Sequence, residues 1–233
     1  MSNDRFARYG AASGFVFIVL FVVGFLGFVV PNAPDADAAG ESWQSFFSDH
    51  QNRIQFGIFL VGLGLFFFIW FLGSLRTALA AAEGGTGRLT AIAYGGGLVS
   101  AAFFLIPMTA TAAAAYRPDE IDPNLTRALN DIAFVSGAPA AAAFTALFAA
   151  TAILGYRYSA LPAPVAGFSA LAAITQPLAY GVAFTDSGAF APDGVLGGFI
   201  PLVTFVIAIF SLSGALVRQP VFATRGVGGA PPA

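Results

Sequence analysis

Leu65-Phe66-Phe67-Phe68-Ile69-Trp70-Phe71-Leu72 carries no charged or hydroxyl side chain on any face. A helix that is apolar all round belongs in a large protein core or in lipid. The run around it, residues 54–75, has no charge at all and exceeds the ~17 residues that a membrane-crossing helix needs. Composition decides between core and lipid. Of 233 residues, 58% are hydrophobic and only 9% charged, against roughly 25% charged in soluble domains. So few charges cannot coat a water-facing surface, and the mean hydropathy of +0.80 agrees.

Outward from this stretch, five more apolar runs bring the expected spans to about 10–30, 54–75, 89–115, 132–156, 161–184 and 195–217. The reading is an all-α polytopic transmembrane bundle forming a single domain over residues 1–218, with a disordered tail at 219–233. Pro31, with Asn32 and Pro34 behind it, closes the first run. Pro107 and Pro139 lie inside the third and fourth, Gln176-Pro177 inside the fifth, and Pro201 in the first turns of the sixth. Arg5 and Arg8 followed by an apolar run and Ala36-Asp37-Ala38 also fit a signal peptide cleaved after Ala38, the competing reading of the first span.

The charges orient the bundle. One end holds Arg5, Arg8, Arg76, Arg88, Arg157, Arg218 and Arg225 against Asp4 and Glu83, a net +5. The other holds three arginines (Arg53, Arg117, Arg127) against ten acids, a net −7. Seven of ten arginines on one side places both termini in the cytoplasm.

Missing residue types exclude whole chemistries. Without Cys there is no thiol catalysis or iron–sulfur ligation, and without Lys no Schiff base. His50 is the only histidine, which rules out two-His metal and haem sites within one chain. No metal, cofactor or nucleic-acid partner is expected.

The long acidic loops are the expected place for recognition. Trp43, Phe46, Phe47 and His50 recur at helical spacing, predicting an amphipathic helix over about 41–50 that lies at the headgroup level, closing the bundle's outer end or gating a ligand. Asp122-Pro123-Asn124 predicts a helix start two turns outward of the fourth span. Arg127 and Asp131 fall at i and i+4, in reach of an ion pair. His50, Asn52 and Arg53 enter the second span, Arg127 and Asp131 the fourth, and Tyr180 and Asp186 leave the fifth, with Gln176 two turns deeper. These eight residues are the candidate ligand-binding site.

The centres of the spans hold no Asp, Glu, Arg or His, whereas coupled carriers and pumps generally place such a group there. Gln176, Thr109, Thr111, Ser100, Thr204 and Tyr94 are the polar residues at mid-depth, and Ser and Thr there usually bond their own backbone. Gly10-x-x-x-Gly14, Gly194-x-x-x-Gly198 and the alanines from Ala140 to Ala150 are close-packing patterns.

Phe46-Phe47-Ser48-Asp49-His50-Gln51-Asn52-Arg53-Ile54, Phe68-Ile69-Trp70-Phe71-Leu72-Gly73-Ser74-Leu75-Arg76 and Gly87-Arg88-Leu89 together resemble the small bacterial membrane proteins grouped as domain of unknown function 4386. The resemblance spans roughly residues 10–100 and implies a six-span protein of the bacterial inner membrane with no established activity. It also implies that Phe47, Asp49, His50, Asn52 and Arg53 are family features. Arginine as the sole basic residue, with Ala and Gly richness, is the composition of a high-GC genome.

Three functions fit the sequence. The preferred one is a non-enzymatic protein that binds a lipid or apolar small molecule, or serves as an accessory to a partner membrane subunit. The second is a small transporter or channel, whose polar path would run by Thr109, Gln176 and Thr204. The third is an outer-face enzyme using His50 as general base with Asp131 or Asp186.

Overall fold

A computed structural model describes residues 3–218; the expected tail at 219–233 lies outside the described residues. Among the described residues the fold is all-helical, and six helices are long and apolar enough to cross a membrane. They comprise α1 (Asn3–Val22, continued by a π-helical stretch Val23–Val29), α3 (Gln51–Glu83) and α4 (Arg88–Tyr116). The fourth span is α5 (Pro123–Val135) followed by α6 (Gly137–Tyr158). The fifth is α7 (Ala163–Thr175) with a 3₁₀ stretch Gln176–Ala183; the sixth is α8 (Ile200–Arg218), preceded by a π turn Val195–Phe199. The short α2 (Gly40–Asp49) stands between the first two spans.

Each span packs on the next in sequence, and the sixth returns to the first, so the spans form a closed ring. Among the return contacts is a hydrogen bond from Ser213 Oγ on α8 to the Ala11 carbonyl on α1, 2.7 Å. It places both described chain ends at the same, arginine-rich end of the ring.

Prolines explain where the spans depart from a single α-helix. Pro139 has no N–H for the Val135 carbonyl and its ring crowds that oxygen, so the fourth span breaks at Ser136 between α5 and α6. Pro177 does the same to Ala173, and the expected continuous fifth helix tightens into 3₁₀ geometry from Gln176. The fourth span also starts earlier than its apolar run. Asp122 caps α5, its Oδ1 accepting from Asn124 N at 2.8 Å, with Pro123 at the first helical position.

The middle of the ring is filled with aromatic rings. Phe205 of α8 is buried and meets six of them: Phe17 and Phe21 of α1, Phe68 of α3, Phe104 of α4, and Phe144 and Phe148 of α6. The closest centroid, that of Phe144, is 4.9 Å away. A single side chain from the sixth span thus ties four others together and closes the axis at mid-height.

Candidate functional site

At the acidic end, α2 folds over the ring. Trp43, Phe46 and Phe47 bury their rings among Ile54, Ala114 and Ala115, with Leu129 and Phe134 of α5 alongside. The apolar face thus turns to protein, as a lid over that end. Gly40 permits it: a Cβ there would strike the Pro123 carbonyl. Polar bonds then lace the loops together. Gln44 Nε2 donates to the carbonyls of Pro118 and Ile121, Ser48 Oγ to Asp119 Oδ1 at 2.6 Å, and Gln51 and Gln55 to the carbonyls of Tyr116 and Ala115. Asp193, from the loop before α8, accepts from Ala36 N at 3.2 Å.

The eight candidate residues take separate places in this cap. His50 and Arg53 share the Phe46 ring, the imidazole tilted against it with centroids 5.2 Å apart and the Arg53 guanidinium lying 5.8 Å from its centroid. His50 Nδ1 lies 3.0 Å from the Phe46 carbonyl, which can only accept, so that nitrogen carries the proton. Arg53 Nη2 donates to the Pro31 carbonyl at 2.6 Å and pins the chain after α1. Asn52 and Asp186 are exposed and make no hydrogen bond among the described residues, and Tyr180 is 39% exposed. Arg127 and Asp131 do not pair: among the described residues the ion pair is Arg117 with Glu120. Asp131 is exposed, and Arg placed four residues before an acid is the weaker helical order. No hydrogen bond joins His50 to Asp131 or Asp186.

Gln176 is structural in the same sense. Its Nε2 donates to the Pro201 carbonyl at 2.9 Å, and the neighbouring Thr175 and Thr204 hydroxyls bond at 2.7 Å, so the pair clamps the fifth span to the sixth. Ser100 and Thr109 close on their own helix, and Thr109 faces outward. The polar residues at mid-depth do not line a common path, and the Phe205 cluster fills the axis where one would run.

Three buried donors in the cap find no acceptor among the described residues: Trp43 Nε1, Arg53 Nε and Asn130 Nδ2. An unmet buried donor costs about 1–3 kcal/mol, so the cap is less secure than the aromatic centre. Arg53→Ala removes the charged bond to Pro31 as well. Such a bond contributes ~1.5–3 kcal/mol, and its loss is expected to speed hydrogen exchange at residues 31–39 by about tenfold or more. Unchanged exchange there would show that Arg53 does not hold the segment.

One cleft lies at the opposite end and outside the eight residues. A cleft of about 520 Å³ opens between α1 and α3, lined by Phe6, Ala7, Gly10, Phe66, Ile69, Trp70, Gly73, Ser74 and Thr77. That volume is within the usual range of small-molecule sites, roughly 300–1,000 Å³. Gly73 makes the opening, since a Cβ on it would meet nothing within 4 Å. Gly10 makes the floor, where a Cβ would collide with Ser74 Oγ and come within 3.5 Å of Trp70 Nε1. Phe6, Phe66, Ile69 and Trp70 are each about half exposed. In the sequence Gly10 reads as a packing residue, and Gly73 does not stand out. The available signal was a glycine on an aromatic stripe, Phe66, Trp70 and Gly73 at helical spacing.

Fold and cleft together define a multi-pass α-helical membrane bundle with a lateral, apolar groove. No family model, curated protein or solved structure matches the chain.

Proposed function

We propose that this is a non-enzymatic lipid-binding protein of the bacterial inner membrane, with both termini in the cytoplasm and the α1–α3 cleft as its binding site. The cleft carries the reading: it is apolar, pre-formed and open sideways, so a lipid reaches it without leaving the bilayer. The net +5 at its end of the chain supports the orientation, and the run from Phe46 to Arg76 supports kinship with domain of unknown function 4386. The transport alternative has little support, because Phe205 and its six neighbours occupy the axis. The enzyme alternative has little either, because His50 bonds neither Asp131 nor Asp186, the two acids that would have to work with it.

The test uses native mass spectrometry of protein extracted in mild detergent. The wild type is expected to retain about one lipid per chain. Gly73→Phe fills the opening from a position where nothing is struck, so the fold survives and retention falls by about tenfold or more, the loss of a small contact set worth ~1.4 kcal/mol. Equal retention by the variant, or none by the wild type, overturns the reading.

A further inference from the structure

An acyl chain that leaves the bilayer for an apolar cleft gains no hydrophobic free energy, because lipid tails are as apolar as Leu and Phe side chains. Selection therefore falls to the polar groups that line the cleft, and these are few. Of the lining residues only Trp70, Ser74 and Thr77 have a polar side-chain atom, and none is charged. Thr77 spends its hydroxyl on the Gly73 carbonyl of its own helix, 3.0 Å away. Trp70 Nε1 and Ser74 Oγ have no hydrogen-bond partner among the described residues. Ser74 differs in this from Ser100, Thr145, Thr151 and Ser169, whose hydroxyls close on their own helices.

The two free donors stand side by side. Ser74 Oγ occupies the place that a Cβ on Gly10 would take, and Trp70 Nε1 lies 3.5 Å from the same point. Two rings brace the indole, Phe6 of α1 edge to face at 6.0 Å and Phe66 of α3 tilted at 5.6 Å. Their depth follows from Arg76, the first charge after the apolar run of α3. Ser74 lies about 3 Å and Trp70 about 9 Å along the helix from it. In a bilayer that is the level just beneath the headgroups, where Trp side chains collect and where a glycerolipid carries its ester groups. Arg76 itself turns away from the cleft, its guanidinium 5.6 Å from the Tyr94 ring centroid on α4.

We propose that the cleft is a site for ester-linked glycerolipids, read by an ester carbonyl and not by the headgroup. A carbonyl oxygen has two lone pairs and accepts from Trp70 Nε1 and Ser74 Oγ together. The acyl chain behind it runs along Ile69 and Phe66 towards the middle of the span. With no charged side chain lining the cleft, nothing there separates an anionic headgroup from a zwitterionic one. A lipid whose chains are joined by ethers has no carbonyl to offer and leaves both donors unmet.

This assignment rests on the cleft being the lipid site, and the experiment separates the two. Purified protein is equilibrated with dioleoylphosphatidylcholine, dioleoylphosphatidylglycerol or the diether counterpart of the first, and retained lipid is read by native mass spectrometry. The wild type is expected to hold the two diesters to within about twofold of each other, and the diether about tenfold less, the effect of losing two neutral hydrogen bonds. Trp70→Phe combined with Ser74→Ala keeps the ring and removes both donors. It should lower the diesters to within about twofold of the diether. A diether held as well as the diesters by the wild type, or a preference for diesters that survives the double variant, overturns the carbonyl assignment. A tenfold preference between the two headgroups overturns the headgroup indifference. Gly73→Phe reports on the cleft alone: lipid retained by that variant removes the site and this assignment with it, whereas lipid lost there but held alike as ester and ether by the wild type removes only the carbonyl.

Discussion

Phe205→Ala is expected to destabilise the bundle by about 3–5 kcal/mol, the usual result of deleting a well-packed buried aromatic ring. The expectation follows from where the ring sits. Its six aromatic neighbours come from α1, α3, α4 and α6, so no single helix shift can refill the space. Phe205→Leu keeps most of the volume and should cost well under half as much. Equilibrium unfolding in mixed detergent micelles measures both. The same variant also tests the axis as a conduction route. A cavity walled by Phe and Leu stays dry, so proteoliposomes carrying Phe205→Ala should remain ion-tight. A conductance appearing in them would make Phe205 a gate and return the transporter reading to first place.

The sequence makes the helices legible through hydropathy and their breaks through proline, yet it leaves the partner of each face open. Six apolar runs of sufficient length are a strong signal because a backbone in lipid has few alternatives to a helix. Pro139 and Pro177 mark where geometry changes, but not that one site breaks at Ser136 and the other tightens to 3₁₀. For α2, the spacing of Trp43, Phe46 and Phe47 identifies an apolar face. The same face suits lipid or protein equally, and only the contact of Gly40 on Pro123 settles it as a lid. The eight candidate residues reflect the gathering of polar groups at and just below the acidic end. Three of them bond in the structure, Arg53 and Gln176 joining neighbouring segments and His50 closing on its own helix, while Asn52, Arg127, Asp131, Tyr180 and Asp186 make no side-chain hydrogen bond among the described residues. The cleft escaped because it is made by what is missing. A glycine on an aromatic stripe reads the same whether it receives a neighbouring helix or leaves a hole.

Gly95, Gly96 and Gly97 display that ambiguity within three residues of one helix, and they give the second large expected effect. The three are identical in sequence terms, each costing about 0.5–1 kcal/mol of helix stability relative to Ala. Their surroundings differ completely. A Cβ at Gly95 meets nothing within 4 Å; at Gly97 it comes to 2.6 Å from Leu72 Cδ2, the end of a side chain that can turn. At Gly96 it comes to 2.7 Å from the Ala143 carbonyl oxygen and 2.8 Å from Leu147 N, both backbone atoms of α6. Neither can yield without moving the helix, and α6 also carries Phe144 and Phe148 to the central ring. Gly96→Ala is therefore expected to cost about 2–3 kcal/mol or to prevent assembly, as overpacking against an immobile wall does. Gly97→Ala should cost less, with Leu72 changing rotamer, and Gly95→Ala should be neutral or stabilising. Thermal unfolding of the three variants side by side measures the order. If Gly95→Ala proved as damaging as Gly96→Ala, the glycines would be serving helix flexibility, and the close approach of α4 to α6 would not be what fixes their place.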